Sequence, residues 1–463
     1  MRRLLFGIAT LFLCSAMLFA GGGREQAPVD VDVEIDLSSI DLPEQFLWPE
    51  DELGPQPLFP EYAGQTIRMT LHSFSGTQAP FLRVFAENFN QLFPHFEVII
   101  DVQQVPFAEM HDRLATALIA GTGAPDLFTP HIGIGAARFF QAPYADQFRE
   151  IQLPEPLQGR VARTSQYTDS DGRLLGIENA GAQPGFLYYR ADIFEEAGVE
   201  MPISTWDEYV AAGERIQAET GHYLTSFGFE GATEVAYLYS LAILQGNTLW
   251  SGDDFILNDA RTLEALEAMV DLVQRGLAYD GSFAEEVVIN RKVGAVQEGQ
   301  IASFIGPDWI FNARVRDFVT EPNWRMQPVP RLPNAVADYF TWGGTGLSVV
   351  ESQTDYPELA EAYVIYTLSS GNQIYKFEEW GHLPINELTL ADPIIATHMQ
   401  PAYFGDQVIG ELYVDAVQNM ASFEVGNGFP AVNEQFLATF NEALRDPAGW
   451  LQRLEAYWRD ATR

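Results

Sequence analysis

The chain has 463 residues, 47% of them hydrophobic, which is enough for a large core and excludes a wholly disordered chain. Its formal net charge is −38, from 64 acidic and 26 basic residues, which excludes an electrostatic partner of nucleic acid because the phosphates would be repelled. The one cysteine, Cys14, sits in the N-terminal segment and the seven histidines are scattered, so no disulfide framework, no metal site and no cofactor is expected.

Met1-Arg2-Arg3 is a basic start, Leu4 to Ala20 is apolar apart from Thr10 and Ser15, and Ala20-Gly21-Gly22 offers small residues for cleavage. This pattern predicts a secretory signal peptide over residues 1–23 and an exported protein, periplasmic or tethered at the outer face of the cytoplasmic membrane. An uncleaved anchor and lipidation at Cys14 are the alternatives, the second weakened by Leu13 just before the cysteine. Residues 24–61 hold eleven acids against Arg24 alone, with Pro28, Pro43, Pro49, Pro55, Pro57 and Pro60. They read as an acidic, Pro-rich, extended tether. The alternative is an arm ordered by docking of Phe46, Leu47 and Trp48. Lys292 and Lys376 are the only lysines, beside 24 arginines. A saline habitat and a compositional bias of the genome account for this equally well.

The body alternates strands and helices. Ile67 to Leu71 is a strand, residues 80–93 place Phe81, Phe85, Phe89 and Leu92 at helical spacing, and Phe96 to Val102 is a second strand. Residues 107–120 form a second helix stopped by Gly121, and Asp126 opens a third strand. The β-α-β-α-β order predicts a mostly parallel sheet covered by helices. Farther on, Phe186 to Tyr189 is a strand, and Thr205-Trp206-Asp207-Glu208 is a capping box opening a helix. Asp259 caps another helix, Gln300 to Phe304 and Thr345 to Val350 are strand candidates, Pro357 starts a helix, and the last 60 residues read as helical. Asp169-Ser170-Asp171-Gly172 lacks the ligand set of a calcium loop and reads as a turn.

Four stretches, taken together, carry a resemblance. They are Leu118 to Leu127 with its Gly121-Thr122-Gly123-Ala124-Pro125-Asp126 turn; Gly172 to Ile177 followed by Leu187-Tyr188-Tyr189-Arg190-Ala191-Asp192-Ile193-Phe194 and on to Val199; Pro202 followed by Thr205-Trp206-Asp207-Glu208-Tyr209; and Trp380-Gly381-His382-Leu383-Pro384. Over roughly residues 64–455 the chain resembles the extracellular solute-binding proteins of family 1, the sugar-type receptors of ABC importers. The resemblance implies an α/β, two-lobe periplasmic-binding-protein fold with a ligand cleft between the lobes. It implies crossings near 177–186, 340–346 and 384–392, with lobe one at 62–180 plus 345–385 and lobe two at 185–340 plus 390–463. It also implies a monomer that closes by a hinge on a carbohydrate, mono- or oligosaccharide, and delivers it to ABC permease subunits.

A sugar is held by aromatic planes and planar hydrogen-bonding groups, and aromatics make up 13% of the chain. Trp250, Trp309, Trp342 and Trp380 sit beside glycine or polar residues, in segments that commonly reach the cleft in the resembled family. Phe74 and Ser75 follow the first strand and His131 the third. Asn179 sits at the first crossing. Glu178, Glu230 and Asp308 are the carboxylates expected nearest a ligand. Two other readings compete: a secreted glycoside hydrolase, which needs two carboxylates across a cleft, and a polyamine receptor of the same fold. No catalytic motif favours an enzyme.

Overall fold

The computed structural model describes residues 35–461, apart from Thr77, 227–228, 230–231, 252–253, 280–295, 297–298, Trp342, Ser422 and Asn427. The expected signal peptide over 1–23 therefore lies outside the described residues, as do Glu230 and Trp342. The strands in chain order are β1 (Thr66–Ser73), β2 (Glu97–Gln104), β3 (Leu127–Phe128), β4 (Ile177–Glu178), β5 (Pro184–Arg190), β6 (Thr225–Ser226), β7 (Trp250–Ser251), β8 (Asp254–Phe255), β9 (Ala278–Tyr279), β10 (Ser303–Pro307), β11 (Trp324–Gln327), β12 (Phe340–Thr341) and β13 (Gly346–Val349).

Two principal sheets organise the chain. The first runs β2-β1-β3-β13-β4, with β1 parallel to both β2 and β3. Strand β13 is antiparallel to β3 and to β4, so β4 points the same way as β1, β2 and β3. The second sheet is built on β5, which is antiparallel to β10, β11 and β12. Of these two sheets the first is mostly parallel and the second is antiparallel. In the first, helical crossovers return the chain to the same edge, while the strands around β5 arrive from opposite directions.

Local chemistry explains the elements. Strand β1 alternates, burying Ile67, Met69 and Leu71. Helix Gln78–Gln91 buries Phe81, Leu82, Phe85 and Phe89, each side chain contributing about 1.5–3 kcal/mol. Helix Phe107–Ala120 ends at Gly121, whose φ of +68° is the left-handed geometry of a C-terminal cap. Both halves of the Thr205 and Glu208 capping box form at the start of Trp206–Thr220. The Asp169 carboxylate accepts from the Asp171 and Arg173 amides, making the expected turn.

The chain passes from β4 to β5 through residues 179–183 and returns from β12 to β13 through 342–345. Each sheet has its own core. Phe81, Phe85, Phe89, Leu347 and Tyr363 pack on the first, and Tyr209, Leu238, Leu266, Phe436 and Trp450 pack beside the second. The halves also touch. Ile132, in the helical turn after β3, packs in one cluster with Phe429, and Gln166 Nε2 donates to the Phe423 carbonyl at 3.0 Å.

Residues 24–61 do not behave as an extended tether where they are described. Phe46 and Trp48 are buried, with Trp48 stacked 6.3 Å from Tyr366 and Phe46 edge-on to Tyr375 at 5.2 Å. Tyr366 Oη donates to the Phe46 carbonyl, and Glu52 accepts from the Ser370 amide. Aromatic burial here outweighs the repulsion among the acids, while Leu47 stays exposed. Trp48→Ala should weaken the docked arm by about 3 kcal/mol. Limited proteolysis should then cut between residues 35 and 53 faster than in the unsubstituted chain, with the body intact; equal rates would contradict docking.

Candidate functional site

The carboxyl ends of β1, β2, β3 and β4 lie on one edge of the first sheet, the usual position of a ligand site in an α/β fold. Phe74 follows β1, and its ring lies 6.1 Å from His131, which follows β3. Ser75 accepts from the Gln78 amide at the start of the next helix. His131 Nδ1 accepts from the Gly133 amide, and the His131 amide donates to His111 Nε2. Burial is the main cause that pulls His131 down to about 3 and His111 to about 4, so both rings are neutral at ordinary pH. A Cβ at Gly133 would lie 2.6 Å from the Phe429 ring, so glycine lets the other half of the molecule close on this loop.

Glu178 is not free to bind a ligand. It is fully buried, and its carboxylate accepts from Tyr167 Oη at 2.9 Å and from the amides of Asn179, Ala180 and Thr345 at 3.2, 3.0 and 3.1 Å. Arg163 Nη1 lies 3.3 Å from it, and Arg163 Nη2 donates to the Gly343 carbonyl. The carboxylate therefore clasps the two crossing segments together. Gly344 permits this, since a Cβ there would lie 2.8 Å from both Glu178 and Arg163.

Beside the clasp, Lys376 is fully buried and donates to the Asn179 carbonyl and to Gln373 Oε1, both at 3.1 Å. Asn179 Nδ2 has no partner among the described residues. Asp308, at the end of β10, is buried with its Oδ1 unpartnered, and burial pushes it up to about 8. Burial likewise draws Lys376 down to about 7, against the pull of Glu178 and Asp308. Asn312 Nδ2 donates to the Gly381 carbonyl, which ties the helical segment after β10 to the C-terminal cap of helix Ser370–Trp380. His382 is buried there, its Nε2 unpartnered and its ring 5.5 Å from Phe81.

The expected residues therefore separate. Asn179 bonds Lys376 and Asp308 lies within the lysine's electrostatic reach, with Trp309 half-buried next in sequence, and Phe74, Ser75 and His131 line the edge of the first sheet. Trp250 does not belong: at 1% exposed it is core, packed against Phe255 and Trp458 at 5.2 and 4.9 Å. A tryptophan after a polar loop is still drawn inward when a hairpin seats it on a helix. Trp380 packs edge-on against Phe81 and Tyr375, and its neighbour His382 enters the cluster instead. Sequence reading missed Arg163, Tyr167, Lys376 and His382. One signal pointed to Lys376, a lysine kept in a chain that elsewhere uses arginine.

Two sheets joined by crossing segments, with unpaired polar atoms buried between them, define a two-lobe receptor. The chain belongs to the bacterial extracellular solute-binding protein family, which matches residues 73–374. It is 26% identical over 389 residues to the arabinooligosaccharide-binding protein of Halalkalibacterium halodurans, covering 81% of this chain and 84% of that one. It is 24% identical over 321 residues to the arabinooligosaccharide-binding protein of Bacillus subtilis, covering 66% and 70%. Its fold is similar to that of the GacH receptor of Streptomyces glaucescens, a structure described in unliganded form and with acarbose. The TM-score is 0.67 at 18% identity, covering 86% of this chain and 97% of that one. Among the described residues no helix is long and apolar enough to cross a membrane.

Proposed function

We propose that this chain is an exported receptor that captures a carbohydrate between its lobes by hinge closure and hands it to the permease of an ABC importer. The observation that carries the reading is a pair of buried polar groups, one at the first crossing and one at the end of β10. Asn179 Nδ2 and Asp308 Oδ1, one donor and one acceptor, have no partners among the described residues, while Lys376 bonds the Asn179 carbonyl and interacts electrostatically with Asp308. Leaving such groups unpaired costs about 1–3 kcal/mol each, and a sugar hydroxyl repays it by donating and accepting together. The names of the two relatives favour an arabinooligosaccharide. The reading divides the chain into lobes at 179–183 and between β12 and β13, with Trp309 offered to a sugar ring.

The competing ligands and chemistry fit less well. A polyamine needs ionised carboxylates, whereas Asp308 holds its proton to about pH 8 beside a lysine. A retaining or inverting glycosidase needs two working carboxylates. Among the described residues Asp308 is the only buried carboxylate with an unpartnered oxygen.

Thermal and urea unfolding with arabinobiose and arabinotriose test the proposal. A sugar at 100 times its dissociation constant should add about 2.7 kcal/mol. Trp309→Ala should lose most of that gain, and the sugar should be recovered uncleaved. Stabilisation by polyamines alone, or recovery of shortened sugar, would overturn it.

A further inference from the structure

The docked arm sits on the first turns of helix Ser370–Trp380. The Ser370 amide donates to the Glu52 carboxylate at 2.7 Å, and the Tyr375 ring meets Phe46 edge-on. The helix is shaped to receive it. Gly371 faces the Gln45 carbonyl, and a Cβ at 371 would overlap that oxygen. Alanine forms helix better than glycine, so the helix forgoes stability of its own where the backbone of the arm meets it.

Within two turns the same helix holds the crossings. Gln373 Oε1 accepts from the Ile385 amide at 3.2 Å and from Lys376 Nζ at 3.1 Å. Lys376 Nζ also donates to the Asn179 carbonyl at the first crossing. The Ser370 hydroxyl accepts from Thr389 Oγ1 at 2.8 Å. Residues 385–389 are themselves a passage between the halves, because Ile385 and Leu388 pack in the core of the first sheet and Ile394 and Ile395 in the core around β5.

A second contact runs beside the first. Leu53 of the arm is buried in one cluster with Leu157, Val161 and Ile385. Residues 160–162 pair with 385–387, where the Ala162 amide donates to the Ile385 carbonyl at 2.7 Å and the Glu387 amide to the Arg160 carbonyl at 2.9 Å. The next residue is Arg163, the partner of Glu178 in the clasp. The arm thus touches two elements, and each continues directly into a crossing.

We infer that the arm is a brace for the hinge, and that arm docking and ligand capture are coupled. Docked, it holds the first turn of helix Ser370–Trp380 and the segment ahead of Arg163, which sets Lys376, Gln373 and Arg163 against the crossings. Phe46, Glu52 and Gly371 are positioning residues that act through those three side chains. The coupling rests on the receptor reading above, whereas the bracing does not. By linkage, the factor that undocking removes from ligand affinity is the factor that ligand adds to docking.

The full chain, Gly371→Ala and Trp48→Ala test this by hydrogen exchange, calorimetry and limited proteolysis. The two variants undock the arm from opposite sides of the contact, and the first does so with a better helix former. Should one fail to fold, the other carries the test. Without sugar, both should exchange faster than the parent in peptides covering 179–183 and 373–386. Both should bind arabinotriose about 5-fold more weakly or worse. In the parent, arabinotriose should slow cleavage between residues 35 and 53 by the same factor. Faster cleavage of the variant arms with parental exchange at the crossings would overturn the inference, and so would faster exchange with parental affinity. If the parent binds no arabinotriose, the carbohydrate reading falls, and the sugar-free exchange alone decides the brace: faster exchange supports it and parental exchange overturns it.

Discussion

Glu178→Gln should lower the unfolding free energy by about 3–5 kcal/mol, the usual cost of removing one partner of a buried ion pair. The cause is specific. Arg163 is almost wholly buried, and Glu178 is the carboxylate that faces it. Glutamine keeps the shape and one acceptor, so the Tyr167 hydroxyl and some of the three amide donors keep a partner, but the guanidinium loses its counter-charge. Tyr167→Phe, which removes one neutral donor from the same carboxylate, should cost only about 1 kcal/mol. The effect belongs to the pair, so the loss from Arg163→Met and that from Glu178→Gln should not add. Urea unfolding of both single variants and the double variant should show a coupling above about 1 kcal/mol. Strict additivity would mean that Glu178 is an ordinary core acid and that the two crossings are joined by their backbone alone.

Asp308→Asn should flatten the dependence of stability on pH. Asp308 is raised from 3.8 to about 8, first by burial, with the Trp309 amide and Lys376 pulling the other way. Between those values the folded chain holds a proton that the unfolded chain has released, so stability falls as pH rises through that window. Lys376 is lowered from 10.5 to about 7, first by burial. Its stability contribution is present above the unfolded value and is lost as pH falls toward 7. The two groups interact and titrate as a pair, with Glu178 and the buried hydroxyls of Tyr188 and Tyr413 in the same field. Stability should be lowest where the windows overlap, near pH 7 to 8. Removing the carboxylate abolishes the falling limb, whose slope is at most about 1.4 kcal/mol per pH unit. Urea unfolding at about pH 5 and about pH 8 should show the parent losing more stability than Asp308→Asn over that interval. Parallel losses would place Asp308 in contact with water.

The elements were legible where the local signal is strong. The Thr205 and Glu208 box, the Gly121 stop and the aromatic stripe of residues 81–89 all act within a turn or two of helix, and each appears as read. The arm was less legible. Eleven acids and six prolines argue for an extended segment, and only the partners Tyr366 and Tyr375, more than 300 residues away, make Phe46 and Trp48 pack. The site divides in the same way. Asn179 was legible because it follows β4 at the first crossing, whereas Asp308 read only as one acid among many and its burial at the end of β10 comes from packing. Glu178, one residue from Asn179, could not be told from a ligand-binding acid. Its partners come from the segment before β4 and from the second crossing, and long-range pairing leaves no periodic trace. Trp250 and Trp309 look alike in sequence, and only packing sends the first into the core.

A sugar held between the lobes should lie at the crossings and along the carboxyl edge of the first sheet. Hydrogen exchange followed by mass spectrometry, with and without arabinotriose, tests it most directly. Protection should rise in peptides covering residues 74–76, 107–111, 131–135, 179–183, 307–312 and 380–383, and the sugar should be recovered intact. Protection confined to other surfaces, such as the 640 Å³ hollow beside Phe194 and Met201, would contradict it.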